Sequence, residues 1–257
     1  MIFDANAFIG KWPYWPVRCN SAEEVTQQLH AWNIDRAAIC STRSVFVNWA
    51  DGNSETLASA SSHPDALIPF ACLGTRELSH AYSAEPYPFE TYRRNGFRGI
   101  RLYPQHHSYH LLFQSFVDEI LEDAASCRWP VLLPLRIIMN WGMPSLDPAA
   151  IHSIVERHPR VNWILAGINY LYELQLATSL MLRYETVCLE TSCIMGYMAI
   201  EKTVQQCGAS QLLFGSGAPL QHGAASLTKV LHAKIGYAAQ ELILGQNLKR
   251  LLGESKA

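Results

Sequence analysis

The sequence predicts a single (β/α)8 barrel, and three observations lead there. Eight short apolar runs recur along the chain, amphipathic segments of helical length separate them, and no Gly-x-Gly-x-x-Gly follows the first run. Near-continuous apolar strands divided by helices indicate a parallel sheet covered on its outer face. The missing glycine fingerprint disfavours a doubly wound open sheet.

The elements are justified in order. Met1–Ala5 is the first apolar run, and Ala22–Trp32 follows with helical spacing. Arg36–Ser41 and Leu67–Leu73 are the next short apolar strands, with Ser54–Ser62 helical between them. Gly99–Tyr103, Pro130–Leu135, Val161–Ala166, Thr186–Glu190 and Gln211–Gly215 complete the eight strands. Leu111–Ser126, Pro148–Arg157, Leu171–Arg183 and Ala199–Cys207 supply the intervening helices. Gly223–Lys234 and Tyr237–Leu252 close the barrel. Irregular stretches at Lys11–Asn20, Val45–Asn53, Glu77–Pro88, Pro104–His110 and Ile137–Asp147 follow strand ends, on the face where barrels do chemistry. They are rich in Trp, Tyr, Pro and Met, which predicts a roofed and partly apolar mouth walled by residues such as Trp12, Trp15, Trp49 and Trp141.

Composition narrows the class. The 257 residues are 49% hydrophobic and 16% charged, with formal net charge −2, as expected of one soluble globular domain with a large core. The balance excludes a nucleic-acid surface, since no run of Lys or Arg supplies a local one. No apolar run approaches the ~18–20 residues that span a bilayer, and no basic-then-apolar leader precedes Asp4. The seven cysteines contain no Cys-x-x-Cys and several sit inside apolar runs, so reduced core thiols in a cytoplasmic protein are expected.

Six segments carry a family resemblance. Ile2-Phe3-Asp4-Ala5-Asn6-Ala7-Phe8-Ile9-Gly10 opens the chain, and Gly96-Phe97-Arg98-Gly99-Ile100-Arg101-Leu102-Tyr103-Pro104 follows at the fourth strand. Trp129–Leu133 and His158–Gly167 mark the fifth and sixth strands. Leu213-Phe214-Gly215-Ser216-Gly217-Ala218-Pro219 marks the eighth, and Ile243–Leu252 the terminal helix. In this order they resemble the amidohydrolase superfamily, in the amidohydrolase-related branch that includes aminocarboxymuconate-semialdehyde decarboxylase. The resemblance implies a barrel built around a catalytic zinc. In the family's pattern, four histidines and an aspartate stand where this chain has Asn6, Phe8, Pro134, Gly167 and Gly217. An amide is a poor zinc ligand, and phenyl, proline and glycine side chains are none. The expectation is therefore a member of the family without its usual metal site and with no cofactor.

Side chains alternate along a strand, so residues in phase with the lost ligands face the same interior. Asp4, Asn6 and Phe8 share one phase, as do Arg101 and Tyr103, Pro134 and Arg136, and Gly167 and Asn169. Glu190 and Ser192 form the matching pair on the seventh strand, unless Thr191 faces inward instead. Arg101 and Arg136 are candidates to grip one anion through their planar forks; the competing reading pairs them with Asp4 or Glu190. Asn6 and Asn169 are ligand-binding candidates. Tyr103, Glu190 and His222 are candidates for proton transfer, with pocket lining, salt bridging and helix capping as the respective structural alternatives. The cluster His106, His107 and His110 raises a further possibility, a relocated metal site from His106, His110 and His222. The resulting expectation is metal-independent hydrolysis or lyase chemistry on a small carboxylated compound, with a non-catalytic barrel that binds a metabolite or protein as the alternative. A homo-oligomer is compatible with the aromatic loops.

Overall fold

The computed structural model describes residues 1–74, 89–113, 115–138, 142 and 144–254. Eight parallel strands form one sheet in sequence order: β1 Phe3–Ile9, β2 Arg36–Ser41, β3 Leu67–Leu73, β4 Gly99–Leu102, β5 Pro130–Pro134, β6 Asn162–Ala166, β7 Val187–Glu190 and β8 Leu212–Leu213. Between the first and last strands, Ala5 N–H donates to Phe214 O (2.8 Å), Gly217 N–H to Asn6 O (2.8 Å) and Phe8 N–H to Ala218 O (2.7 Å). These bonds close the sheet into a barrel. No helix among the described residues is long and apolar enough to cross a membrane, and all seven cysteines are free.

Strand composition follows from burial on both faces. Every residue of β3 is buried, and alternate residues serve different layers. Leu67, Ala71 and Leu73 pack outward under the helices, whereas Ile68 and Phe70 fill the barrel with Phe3, Ala5, Ala38, Leu132, Ile164 and Leu213. Leu248 and Leu252 of the C-terminal segment join that inner cluster.

β1 departs from simple alternation. Its register against β2 shifts between Asp4 and Ala7, so Ala5 and Asn6 together face the single residue Ala38. Phe3 and Ala5 point inward below this bulge, and Ala7 and Ile9 point outward above it. The extra residue thus turns Asn6 and Phe8 toward the barrel's mouth. Asp4 does not share their direction, contrary to the expected common phase. It is fully buried and accepts from the amides of Asn6 (2.8 Å) and Ser216 (2.9 Å) and from the Ser216 hydroxyl. It is a structural acceptor that ties β1 to the loop after β8.

Two other expectations are corrected. Most of the stretch Val45–Asn53 is helical: Thr42–Phe46 and Trp49–Ser62 are helices, the second capped by the Asn48 side chain. Gly52 lies inside that helix because the Ser44 backbone packs where a Cβ would stand. The closing segment is also not one regular helix. Tyr237–Glu241 and Asn247–Leu251 flank a π-helical turn, Leu242–Gln246, in which Gly245 lies against the carbonyl of Met1. Glu77–Pro88 and Trp141 fall outside the described residues.

Candidate functional site

Toward the C-terminal halves of β1, β4 and β7 and just past β7, four polar side chains meet in a buried network. Asn6 stands between Arg101 and Glu190. Its Oδ1 accepts from Arg101 Nη1 (3.0 Å) and its Nδ2 donates to Glu190 Oε2 (3.2 Å). Ser192 donates to the same carboxylate from both its hydroxyl (2.9 Å) and its backbone amide. Arg101 Nη2 donates to the Ala38 carbonyl (2.7 Å), while the guanidinium lies 5.0 Å from the Phe8 ring and 5.9 Å from that of Phe70. Phe8 therefore covers a buried cation. Gly215 makes the arrangement possible, since a Cβ there would run into the Glu190 carboxylate.

Burial dominates the electrostatics. Desolvation raises the Glu190 pKa to about 7, a rise that the Ser192 amide and hydroxyl only partly offset. Desolvation likewise raises the phenol of Tyr103 well above its ordinary value and keeps Cys193 a thiol. A second, half-buried cation lies behind this cluster. Lys229 Nζ, from the helix Gly223–Leu231, donates to the carbonyls of Thr191 (3.1 Å), Ser192 (2.7 Å) and Ile194 (2.9 Å). It fixes the loop that carries Ser192. The sequence reading missed it, because its role depends on three backbone groups some 35 to 38 residues away.

The remaining candidates separate. Arg136 does not converge with Arg101 on an anion. It forks onto Glu173, Nη1 to Oε2 at 2.8 Å and Nη2 to Oε1 at 2.5 Å, and also donates to the Gly167 carbonyl (2.9 Å). Glu173 in turn accepts from the amides of Asn169 (2.9 Å) and Tyr170 (3.0 Å), capping the helix Leu171–Arg183. The pairing alternative thus describes Arg136, but with a partner other than the two considered. Asn169 Oδ1 accepts from the Met195 amide (3.2 Å), tying together the loops after β6 and β7.

The three histidines offered as a relocated metal site are dispersed. His222 is exposed at the start of its helix with its ring 5.2 Å from that of Trp32. His110 stacks on Phe113 at 4.1 Å, and its Nδ1 accepts from the Leu112 amide. His106 instead stands edge-on to Phe46 at 5.1 Å. Among the described residues, no group of three or more His, Cys, Asp and Glu side chains is placed to hold a metal ion.

The family's own metal position does not fit this chain either. Asn6 already spends its oxygen on Arg101 and its nitrogen on Glu190. At Gly167, φ is +69° and a Cβ would collide with the Arg136 backbone. At Gly217, φ is +67° and a Cβ would meet the Gln221 amide at 2.7 Å. The backbone has closed over the Gly167 position, the Gln221 side chain fills the Gly217 position, and the Arg101 cation adjoins Asn6. An Asn6→His/Phe8→His variant is therefore expected to purify with well under one equivalent of zinc, as measured by elemental analysis; stoichiometric zinc would show that the site had only lost side chains.

Comparison with known proteins agrees with this architecture. The model of the amidohydrolase family matches residues 22–253. No curated protein matches the chain. Among solved structures, an uncharacterized TIM-barrel protein from Bordetella bronchiseptica superposes with a TM-score of 0.75 at 16% identity, covering 98% of each chain. A probable 2-pyrone-4,6-dicarboxylic acid hydrolase from Acinetobacter baumannii, with citric acid bound, gives 0.69 at 16% identity over 98% of this chain and 99% of its own. A 5-carboxyvanillate decarboxylase from Sphingomonas paucimobilis gives 0.72 at 10% identity over 98% of each chain. At these identities the likeness shows the fold alone.

Proposed function

Since this chain belongs to the amidohydrolase family, we propose that it acts on a small carboxylated compound by proton transfer through Glu190, in lyase or hydrolytic chemistry that does not use the family's metal position. One observation carries the reading: a buried carboxyl group that titrates near 7 lies at the catalytic end of the barrel, linked through Asn6 to a buried guanidinium. A group with that pKa can give and recover a proton at neutral pH. Arg101 supplies the positive charge that would hold the substrate's carboxylate. Tyr103 packs beside them in the buried cluster that holds Phe8 and Trp12.

The names of two structural neighbours point to the same substrate class, a hydrolase of a pyrone dicarboxylic acid and a decarboxylase of a carboxylated aromatic. In a decarboxylation, protonated Glu190 would deliver its proton to the carbon that loses CO2, and the bonding pair left behind forms the new C–H bond. Solvent then reprotonates Glu190. In a hydrolysis, ionised Glu190 would instead take a proton from the attacking water. The two roles have opposite pH dependence. Lyase activity falls as pH rises through about 7, whereas hydrolase activity increases over the same range.

The test is turnover of carboxylated aromatics and pyrone lactones, followed across pH with the wild type and Glu190→Gln. Activity lost in the variant by at least ~100-fold, with an inflection near 7 in the wild type, is the expected result. Activity that survives the substitution would remove Glu190 from the reaction. A second reading, a barrel that binds a metabolite or protein without turnover, is favoured by Phe8 lying over Arg101 and by Arg136 being committed to Glu173. Saturable binding of these acids with no product at any pH would establish it.

A further inference from the structure

A cavity of about 600 Å³ opens at the end of the barrel opposite Glu190, where β4 to β7 begin and the C-terminal segment packs against them. A volume of that order is ordinary for a small-molecule site. Three arginines reach it from three separate elements. Arg98 immediately precedes β4, Arg128 stands two residues before β5, and Arg250 belongs to the helix Asn247–Leu251. Among the described residues, Glu185 is the one carboxylate on the lining. The chain as a whole carries a net charge of −2, so this excess of cations runs against its average.

The three cations differ in how far the fold uses them. Arg98 Nη2 donates to the Leu252 carbonyl (2.6 Å), and its Nη1 lies 3.7 Å from Glu254 Oε1. Arg250 Nη2 donates to the Ser210 carbonyl (2.5 Å). A carbonyl accepts a hydrogen bond without cancelling the charge of its donor. Among the described residues, the Arg128 side chain has neither an ion pair nor a hydrogen bond.

Arg128 is also out of place by backbone geometry. It ends the helix Ser115–Cys127 in the left-handed region, with φ +54°. The turn has the Schellman pattern, Trp129 N–H donating to Ala124 O (2.8 Å) and Arg128 N–H to Ala125 O (3.2 Å). Glycine usually fills such a position, because a Cβ there crowds the backbone. Asn162 at the start of β6 then holds the Arg128 carbonyl through Nδ2 (3.1 Å). The turn therefore favours another residue, and the charge it carries finds no partner in the fold. A strained residue held at the edge of a cavity, with its functional group free, points to a ligand.

Guanidinium forks match the oxygens of phosphates and carboxylates. Three of them against one carboxylate leave two positive charges unbalanced, which a compound with two or more anionic groups offsets and a monoanion does not. We propose that this basal cavity binds a small polyanion, phosphate or carboxylate in chemistry, bridging Arg128 to Arg98 and Arg250. The site is separate from the proton chemistry at Glu190. Its ligand ties β5 to the C-terminal segment, whose Leu248 and Leu252 fill the inner cluster, so occupancy stabilises the fold.

The test titrates pyrophosphate, citrate and acetate calorimetrically into the wild type and Arg128→Gly at one low ionic strength. The wild type is expected to bind pyrophosphate or citrate, one per chain, at least ~10-fold more tightly than acetate, and the tighter of the two identifies the source chemistry. That polyanion should also raise the melting temperature. Arg128→Gly is expected to lose at least ~10-fold of the affinity, and with it the thermal shift. Without ligand it should melt within a few degrees of the wild type, since glycine suits the left-handed turn. A wild type that binds neither polyanion, or binds them no better than acetate, overturns the site. Polyanion affinity that Arg128→Gly leaves unchanged overturns it equally, because the ligand then sits elsewhere in the chain.

Discussion

Replacing Arg136 with alanine is expected to destabilise the protein by about 3 kcal/mol, because it strands a carboxylate rather than because it removes an attraction. The Glu173 side chain is 0% exposed and that of Arg136 only 10%. Without the guanidinium, Glu173 keeps two amide donors but no opposite charge. The size of this domain makes such a loss roughly 6–12 °C in melting temperature. The sign with pH is also fixed. Burial alone would push the Glu173 pKa up, yet the Arg136 bond and the two amides outweigh it and hold the pKa below its ordinary value. A carboxylate with a lowered folded-state pKa contributes stability that is present above its unfolded value and is lost as pH falls through the folded one. Urea unfolding of wild type and Arg136→Ala should therefore differ most near neutrality and converge in acid. An Arg136→Met/Glu173→Leu double variant should recover much of the loss, since it leaves no charge behind. A single-variant loss below ~1 kcal/mol would mean that solvent reaches the pair and that it is worth no more than a surface ion pair.

Arg136 also marks where the sequence stopped being informative. Its phase, two residues past the end of β5, was read from alternation, as was that of Arg101 on β4 and of Glu190 on β7, because each of those strands is regular. What alternation omits is a competitor from another element. Glu173 is the third residue of a helix whose first turn needs a carboxylate over its free amides, and that local demand places it beside Arg136. The capping pattern Tyr170-Leu171-Tyr172-Glu173 was readable; its reach across to β5 was not. β1 failed differently. Asp4-Ala5-Asn6-Ala7-Phe8 alternates without interruption, and nothing in it signals the extra residue that turns Asp4 away from Asn6 and Phe8. The eight strands themselves were visible because a parallel barrel buries both faces of every strand, which leaves an apolar run in the sequence at each one. What packs around the His106 ring was not legible either: the local Gln-His-His motif left a relocated metal site open as one possibility, whereas its surroundings are aromatic.

Glu190→Gln is expected to stabilise the protein at pH 8 while leaving it unchanged at pH 4. In the unfolded chain a glutamate ionises from its ordinary value near 4.5, whereas burial holds Glu190 protonated in the fold up to about 7. Across that window the unfolded state binds fewer protons than the native state, so wild-type stability falls as pH rises. Above 7 the penalty stays constant, at up to ~3 kcal/mol relative to acid. A glutamine has no proton to lose. Its oxygen still accepts from Ser192 or Asn6, so the variant gives up little hydrogen bonding and escapes the penalty. Chemical denaturation of both proteins at pH 4, 6 and 8 measures the difference directly, because every other carboxylate cancels in the comparison. A gap that opens between pH 4 and 8 in favour of the variant would mean that this barrel gives up stability to keep a neutral-pH acid at its catalytic end, as expected of a group retained for proton transfer. A gap that stays flat would mean that Glu190 ionises in the fold as it does in the unfolded chain, and the proposed reaction would lose its proton carrier.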